Sequence, residues 1–249
     1  MTDDIRVLRD GALVEIRMNR PAKKNALTDA MYGAMADAIE AADKDPEIRA
    51  VLIGAAGDMF TAGNDLSDFA AAGLKPSTNE PSNVQRFLHG IATAEKPLIA
   101  AVTGSGVGVG MTMLLHCDIV IIAEDARLTT PFTSLGLTPE AASSLLLPAR
   151  IGYARAYMML ALGQPISGAD AARHGIATEA VPRGEVNARA RAAALECCAR
   201  PAEAMRITKM LMRGDPASVT TRIDQENAHF RERLRSPEAK AAFEAFFKR

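Results

Sequence analysis

The sequence predicts an α/β core followed by an α-helical tail. Up to about residue 181, apolar runs of strand length alternate with stretches of helical spacing. From Gly184 onward only helical patterns remain, broken at Pro201, at Gly214-Asp215-Pro216 and at Ser236-Pro237. Between these regions, the apolar run 98–102 empties into a loop with glycine at 104, 106, 108 and 110. That loop leads to Met111, Leu114 and Leu115, spaced as one helix face. A strand therefore hands over to a helix through a turn in which backbones come close, and the first N–H groups of that helix have no internal partner.

In chain order, residues 5–9 and 13–18 read as strands around an Asp10-Gly11 turn. Thr28 or Asp29 caps a helix to about Ala42, with Ala30, Met31, Ala34, Met35, Ala38 and Ile39 as its apolar positions. Residues 50–55 form a strand and 66–72 a short helix. Residues 73–82, rich in turn formers and polar side chains, are expected to be a mobile surface segment. A helix over 83–93 carries Val84, Phe87, Leu88 and Ile91 on one side. Past the glycine loop, 119–123 is a buried strand and 129–139 is irregular. Helices are expected from about Pro139, over 153–162, and from a Ser167 cap to near Gly175, followed by a short strand at 178–181. The tail reads as helices at about 185–199, 201–213, 217–235 and 237–248.

A chain of 249 residues buries a sizeable core, as one domain or one domain with a helical extension. A net charge of −1 gives no electrostatic footprint for nucleic acid or an anionic membrane. No apolar run reaches the length of a membrane span, and MTDDIRVLRD is too charged for a signal peptide. Phe247-Lys248-Arg249 is not a peroxisomal address. The three cysteines, with Cys197 and Cys198 adjacent, form no disulfide framework and fit a reducing compartment, so a cytoplasmic protein is expected. His116, Cys117 and Asp118 look like metal ligands, but consecutive side chains diverge, and ordinary packing with no metal is the reading.

The glycine loop excludes several chemistries. Gly104, Gly106 and Gly108 are each followed, at the sixth position, by Val109, Met111 and Met113, so G-x-G-x-x-G fails. No lysine completes a phosphate loop, and Ser105 lacks the flanking glycines of a nucleophile elbow. A second stretch, Phe60-Thr61-Ala62-Gly63-Asn64-Asp65-Leu66, also follows an apolar run and leads into a helical pattern. Two strand ends, each with a glycine turn and a helix, can aim two N–H groups at one oxygen, the geometry of an oxyanion hole.

Together with Asn19-Arg20-Pro21 and Asn25-Ala26-Leu27, the Phe60 to Leu66 stretch and residues 101–118 make the chain resemble the crotonase family, the enoyl-CoA hydratase/isomerase superfamily. The resemblance covers essentially the whole chain. It implies a ββα spiral core over 1–195, an α-helical trimerisation region over 196–249, and a homotrimer or a hexamer made as a dimer of trimers. It implies an acyl-CoA substrate, with coenzyme A entering only as the thioester and no other cofactor. It places the oxyanion donors at the N–H groups of Asn64 and Val109. It places substrate and CoA contacts at Lys24, Asn25, Ala26, Leu27, Ala62, Asp65 and Leu66, and at Gly108, Thr112 and Phe132. Read without the resemblance, Lys23-Lys24 is a solvated loop pair and Asp65 caps the helix beginning at Leu66.

Hydratases of this family use two glutamates to handle water, and the corresponding positions here hold Thr112 and Phe132, neither of which is a general base near neutral pH. Glu140 remains. By spacing alone it is an ordinary helix-start residue, with Thr138 as N-cap and Pro139 at N1. Thr130-Pro131-Phe132 with Pro139-Glu140 and Ser143-Ser144 resembles the peroxisomal-type Δ3,Δ2-enoyl-CoA isomerases, which implies Glu140 as a single catalytic base in an apolar surround drawn from Phe132, Leu135 and Leu137. Two alternatives stand beside double-bond isomerisation: a 2-enoyl-CoA hydratase of the fatty-acid β-oxidation type, and a catalytically silent acyl-CoA-binding protein. Residues 73–82 and the 83–93 helix are expected to shape the acyl pocket.

Overall fold

Each apolar run of strand length becomes one strand of a single large sheet. The computed structural model describes residues 3–65, 67–68 and 81–247. β1 (Ile5–Asp10) and β2 (Leu13–Met18) pair antiparallel around Gly11, whose φ of +58° centres the turn on Gly11-Ala12, one residue later than expected. α1 (Asp29–Lys44) starts where the Thr28 hydroxyl accepts the Met31 N–H. β3 (Ala50–Ala55) follows, and α2 (Asn83–Thr93) opens with a capping box between Ser82 and Gln85. β4 (Leu98–Val102) leads through β5 (Gly106–Val107) into α3 (Val109–Thr112), continued by a 3-10 turn over Met113–His116. Next come β6 (Ile119–Ala123), β7 (Arg127–Thr129), α4 (Ser143–Ile151), α5 (Tyr153–Leu160), β8 (Ile166–Ser167), α6 (Gly168–Arg173) and β9 (Glu179–Val181). The tail is α7 (Val186–Cys198), α8 (Ala202–Arg213), α9 (Pro216–Leu234) and α10 (Pro237–Phe247).

The large sheet runs β1-β2-β3-β4-β6-β9 and is parallel from β2 onward. A second ladder, β5-β7-β8, is extended by bridges between Leu27 and Asn64 and between Thr61 and Gly106. Successive passes of the chain repeat one pattern. β2, β3, β4 and β6 each enter the large sheet, then Leu27, Thr61, β5 and β7 enter the second ladder, with α1 and α3 completing the first and third turns. This is the crotonase-like ββα spiral. Every residue of β3 and β4 is buried, because parallel strands covered on both faces read as unbroken apolar runs.

Met31, Tyr32, Met35 and Ile39 of α1 are buried, as are Phe87, Leu88 and Ile91 of α2, with Tyr32 and Phe87 rings 5.5 Å apart. The buried face of α1 includes Tyr32 and Ala36 while Ala30 is exposed, a rotation from the expected stripe. α7 lies against β3, β4 and β6 through small side chains such as Ala190 and Ala194 and runs across the 195/196 position. α8 is tied down by charge. Asp118 accepts the Leu98 N–H at 2.8 Å and pairs with Lys209 at 2.7 Å and Arg213 at 3.2 Å, while Lys209 also donates to the Lys96 carbonyl at 2.6 Å. Phe243 is buried and Met205 partly so, whereas Met210 and Leu211 are exposed. Of the helix expected over 66–72 only residues 67 and 68 are described, both helical, and most of the 73–82 segment lies outside the described residues.

Gly104 shows how tightly the loops after β3 and β4 approach: a Cβ there would sit 1.9 Å from the Asp58 carbonyl oxygen. Gly104→Ala is expected to lower stability in urea unfolding by about 3 kcal/mol, the upper end for overpacking. A loss below about 0.5 kcal/mol, the range of a neutral surface change, would contradict the approach.

Candidate active site

The site begins with two loops stitched side by side. Phe60 and Thr61 N–H both donate to the Ser105 carbonyl, at 3.1 and 3.2 Å, and Val107 N–H donates to the Thr61 carbonyl at 3.0 Å. A Cβ at Gly110 would lie 2.4 Å from Thr61 Cγ2, so the pairing requires glycine there. On its other side the first loop pairs with Leu27, which donates to the Gly63 carbonyl at 2.8 Å and accepts the Asp65 N–H at 2.9 Å. The Asn64 N–H lies between these two bonds and has no hydrogen-bond partner among the described residues. The Val109 N–H, at the first position of α3, is likewise without one. Gly108, at φ +55°, takes a backbone conformation that suits glycine, and it sends its own N–H to the Thr129 carbonyl at 2.8 Å.

The Asn19-Arg20-Pro21 and Asn25-Ala26-Leu27 motifs build the support under the Asn64 loop. Lys24 and Asn25 are both left-handed. The buried Asn25 amide accepts the Arg20 N–H and donates to the Ala56 and Met59 carbonyls, each at 2.8 Å, so its side chain is fully engaged in structure. Thr61 Oγ1 donates to the Asn25 carbonyl at 2.6 Å and accepts the Gly63 N–H. Asp65 accepts the Ser67 and Asp68 N–H groups, as a capping residue does, and pairs with Arg20 at 2.6 Å. The Arg20 guanidinium holds its carboxyl below the usual range. Lys24 is exposed, Ala26 and Ala62 are half-buried, Leu27 is buried, and Leu66 lies outside the described residues.

Glu140 is buried, 3% exposed, and its Oε1 has no hydrogen-bond partner among the described residues. It does not start a helix. Ala141 and Ala142 follow in the left-handed region at φ 60° and 53°, α4 begins only at Ser143, and the Thr138 hydroxyl caps nothing. The helix-start reading of 138–140 fails because these left-handed alanines interrupt the chain between Glu140 and the first helical turn. Burial, and then the charge of Glu226, raise the Glu140 carboxyl to about 8.

Three side chains surround Glu140 and the two loops. His116 donates from Nε2 to the Ala141 carbonyl at 2.8 Å, and burial pushes it down to about 4, which keeps it neutral. Tyr32 OH donates to Asn64 Oδ1 at 2.5 Å. Its phenol is raised well above its ordinary value, first by burial and then by the charge of Glu140, so it lies within electrostatic reach of the base. Glu226, on α9, accepts the Ser144 N–H at 2.9 Å. Phe132 packs edge-on to Phe230 with ring centroids 6.5 Å apart, and its Cε1 lies 3.9 Å from where a Gly108 Cβ would be. Thr112 is fully buried with its hydroxyl unpartnered. Among the described residues no group of three His, Cys, Asp or Glu side chains could hold a metal ion, and no helix is long and apolar enough to cross a membrane.

Tyr32 and Glu226 do not emerge from the sequence reading, and His116 emerges only as packing. Glu226 does leave a trace. Val219, Ile223, Glu226 and Phe230 share one helical stripe, with a glutamate where an apolar residue belongs.

A family model described as enoyl-CoA hydratase/isomerase matches residues 9–249. The chain belongs to this family. Within the crotonase superfamily that contains it, similar proteins carry both kinds of name. "Enoyl-CoA delta isomerase 2" of Rattus norvegicus is 34% identical over 89% of this chain, which spans 57% of the rat protein's length. "Probable enoyl-CoA hydratase" of Rhodobacter capsulatus is 34% identical, covering 79% of this chain and 76% of its own. The solved structure of Pseudomonas aeruginosa OdaA superposes on this hydratase/isomerase family member with a TM-score of 0.95, at 43% identity and complete coverage of both chains.

Because the folded carboxyl of Glu140 is raised, the unfolded chain gives up that proton first, near about pH 4.3. The contribution of the neutral group is therefore fully present below that pH and lost as pH rises through about 8. Glu140→Gln cannot ionise, so its urea midpoint should rise relative to the parent's across this window. A difference between the two proteins that stays flat with pH would show that Glu140 is not held neutral.

Proposed function

We propose that this protein moves the double bond of a 3-enoyl-CoA into conjugation with the thioester, with Glu140 as the single base. The observation that carries this reading is one buried carboxyl, raised to about 8, beside two loops that each leave a backbone N–H unpartnered. The α-proton of a thioester is weakly acidic, and its removal puts negative charge on the thioester oxygen. The N–H groups of Asn64 and Val109 are preorganised donors for that charge, and one such donor is worth about 3 kcal/mol in other enzymes. Glu140 takes the C2 proton and returns it at C4. Burial favours the neutral carboxyl, and a site from which water is excluded protects the dienolate. Thr112 and Phe132 offer no second carboxylate at the positions where hydratases of the family carry theirs, which supports isomerisation over water addition. Lys24 at the exposed rim is the candidate contact for the phosphate or adenine side of coenzyme A.

Glu140→Gln should lower isomerisation by about 10²–10⁴-fold and abolish exchange of the C2 proton with deuterated solvent, while a saturated acyl-CoA still binds. Hydration of a 2-enoyl-CoA by the parent should run at least about a hundredfold below isomerisation. Hydration faster than that assigns the protein as a hydratase, and no turnover of either substrate assigns a silent acyl-CoA binder.

The assembly proposed is a homotrimer or a dimer of trimers. α8 leaves Ile207, Met210, Leu211 and Met212 exposed, and α5 leaves Tyr153, Tyr157 and Met158 exposed, more apolar surface than a monomer of this size presents without a partner. Light scattering at micromolar concentration should give three or six copies; a monomer would refute the assembly.

A further inference from the structure

We infer that Glu226, carried in on α9, is a positioning residue for Glu140: it caps the start of α4 as an anion and sets a second negative charge against Glu140, which makes Glu140 the carboxyl that takes up the proton. The inference rests on the reading of Glu140 as the base. Both carboxyls are buried, at 3% and 6% exposure, but their surroundings are unequal. Glu226 Oε1 accepts the Ser144 N–H at 2.9 Å, while its Oε2 has no partner among the described residues. Burial raises the Glu226 carboxyl, and the polar groups of Ser144 and Ala142 draw it back down. Arg222 adds positive charge from the same helix while donating to Ser144 Oγ at 3.2 Å. Donors of this kind favour the ionised form. Glu140 Oε1 has no such donor among the described residues. Two carboxyls whose environments push them apart in this way divide the work into a fixed anion and a proton carrier.

A structural role alone explains Glu226 poorly. The N-cap position of α4 is Ala142, with no side-chain cap, and a serine or asparagine there would serve the helix without burying a charge. Of the other titratable groups facing the Glu140 turn, the Tyr32 phenol from α1 and the His116 imidazole from the 3-10 turn are neutral, and Arg222 from α9 is a cation that pairs its charge with Glu226. Glu226 therefore supplies the negative charge that acts on Glu140.

Glu226→Gln in the full chain tests the inference, because glutamine keeps the size and still accepts the Ser144 N–H but carries no charge. The readout is the pH dependence of kcat/KM for 3-enoyl-CoA isomerisation and of C2 proton exchange on a saturated acyl-CoA. The parent's acid limb is expected at about 8, and in the variant it should move down by up to about one unit, the part of the rise due to burial remaining. Below the limb the variant should then exchange the proton up to about tenfold faster than the parent, one unit being a factor of ten. Loss of a purely structural cap cannot speed the reaction. An unmoved limb would overturn the inference. Carboxyl 13C NMR of the parent gives the same answer without any variant: Glu226 should ionise first and Glu140 afterwards, at the higher pH, and the reverse order would overturn it. If Glu140→Gln is inactive while the Glu226→Gln limb is unmoved, only this inference fails. If Glu140→Gln turns over normally, the base assignment fails first.

Discussion

The backbone pairing of Thr61 with Gly106 is the contact on which the site depends. β3 and β4 are neighbours in a parallel sheet, and the turns leaving them would be free to diverge. The bonds from Phe60 and Thr61 to Ser105, and from Val107 to Thr61, hold the turns together. The free N–H groups then follow from the strand pattern itself. On one loop, Gly63 N–H is used by Thr61 Oγ1 and Asp65 N–H by Leu27, so Asn64 between them is left over. On the other, Gly108 N–H goes to Thr129 and the helix supplies no acceptor for Val109. A backbone donor withdrawn from water without a partner is unfavourable, and the fold keeps one on each of two paired loops, at half-buried Asn64 and buried Val109. A ligand oxygen is the partner that such an arrangement suits.

The base carries a second unfavourable arrangement. A carboxyl at 3% exposure with an orphaned oxygen is followed by alanines at φ 60° and 53°, a conformation that disfavours any side chain by about 1–2 kcal/mol per residue. Such strain persists only where the surroundings over-determine it. Here they do. His116 fixes the Ala141 carbonyl from the end of the oxyanion helix, and Glu226 fixes the Ser144 N–H from α9. Arg213 in turn donates to the His116 carbonyl, and Arg150 to the Leu115 carbonyl at 2.6 Å. The C-terminal helices are thus part of the site's rigidity, through the same Lys209 and Arg213 contacts that dock α8 on Asp118.

Most of the fold was legible because its period was legible. β3, β4 and β6 are unbroken apolar runs bounded by turn formers, and α2 shows its stripe, though its Ser82 cap reads in the sequence as the end of the preceding polar segment. β5, β7 and β8 span only two or three residues, too short for a periodic signal, so the second ladder is absent from the sequence reading. The start of α4 was misread because Thr138-Pro139-Glu140 satisfies every local rule for a helix N-terminus. Burial of the carboxyl and the left-handed alanines override those rules, and neither is visible in local sequence. The unpartnered N–H groups of Asn64 and Val109 belong to the backbone, so proposing them as donors makes no demand on side-chain identity. Tyr32, His116 and Glu226 act through tertiary contacts across 25 to 82 residues of chain, and only the misfit of Glu226 on an apolar stripe pointed to any of them.

That contrast bears on why one scaffold serves several reactions. In the function proposed, the half that stabilises the enolate would be written in backbone geometry, which depends on the close approaches at glycines 104, 106 and 110. The half that chooses between moving a proton and adding water is written in side chains. Water addition needs a carboxylate to hold and activate the water opposite the acid. Here that space is bounded by Phe132, packed against Phe230 and beside Gly108, and by Thr112, whose buried hydroxyl has no partner. A phenyl wall offers water no hydrogen bond, and one hydroxyl falls short of the two to four polar partners a buried water requires. Burial likewise disfavours the ionised form of Glu140. In the isomerisation proposed above, burial would thus both exclude water and strengthen the base.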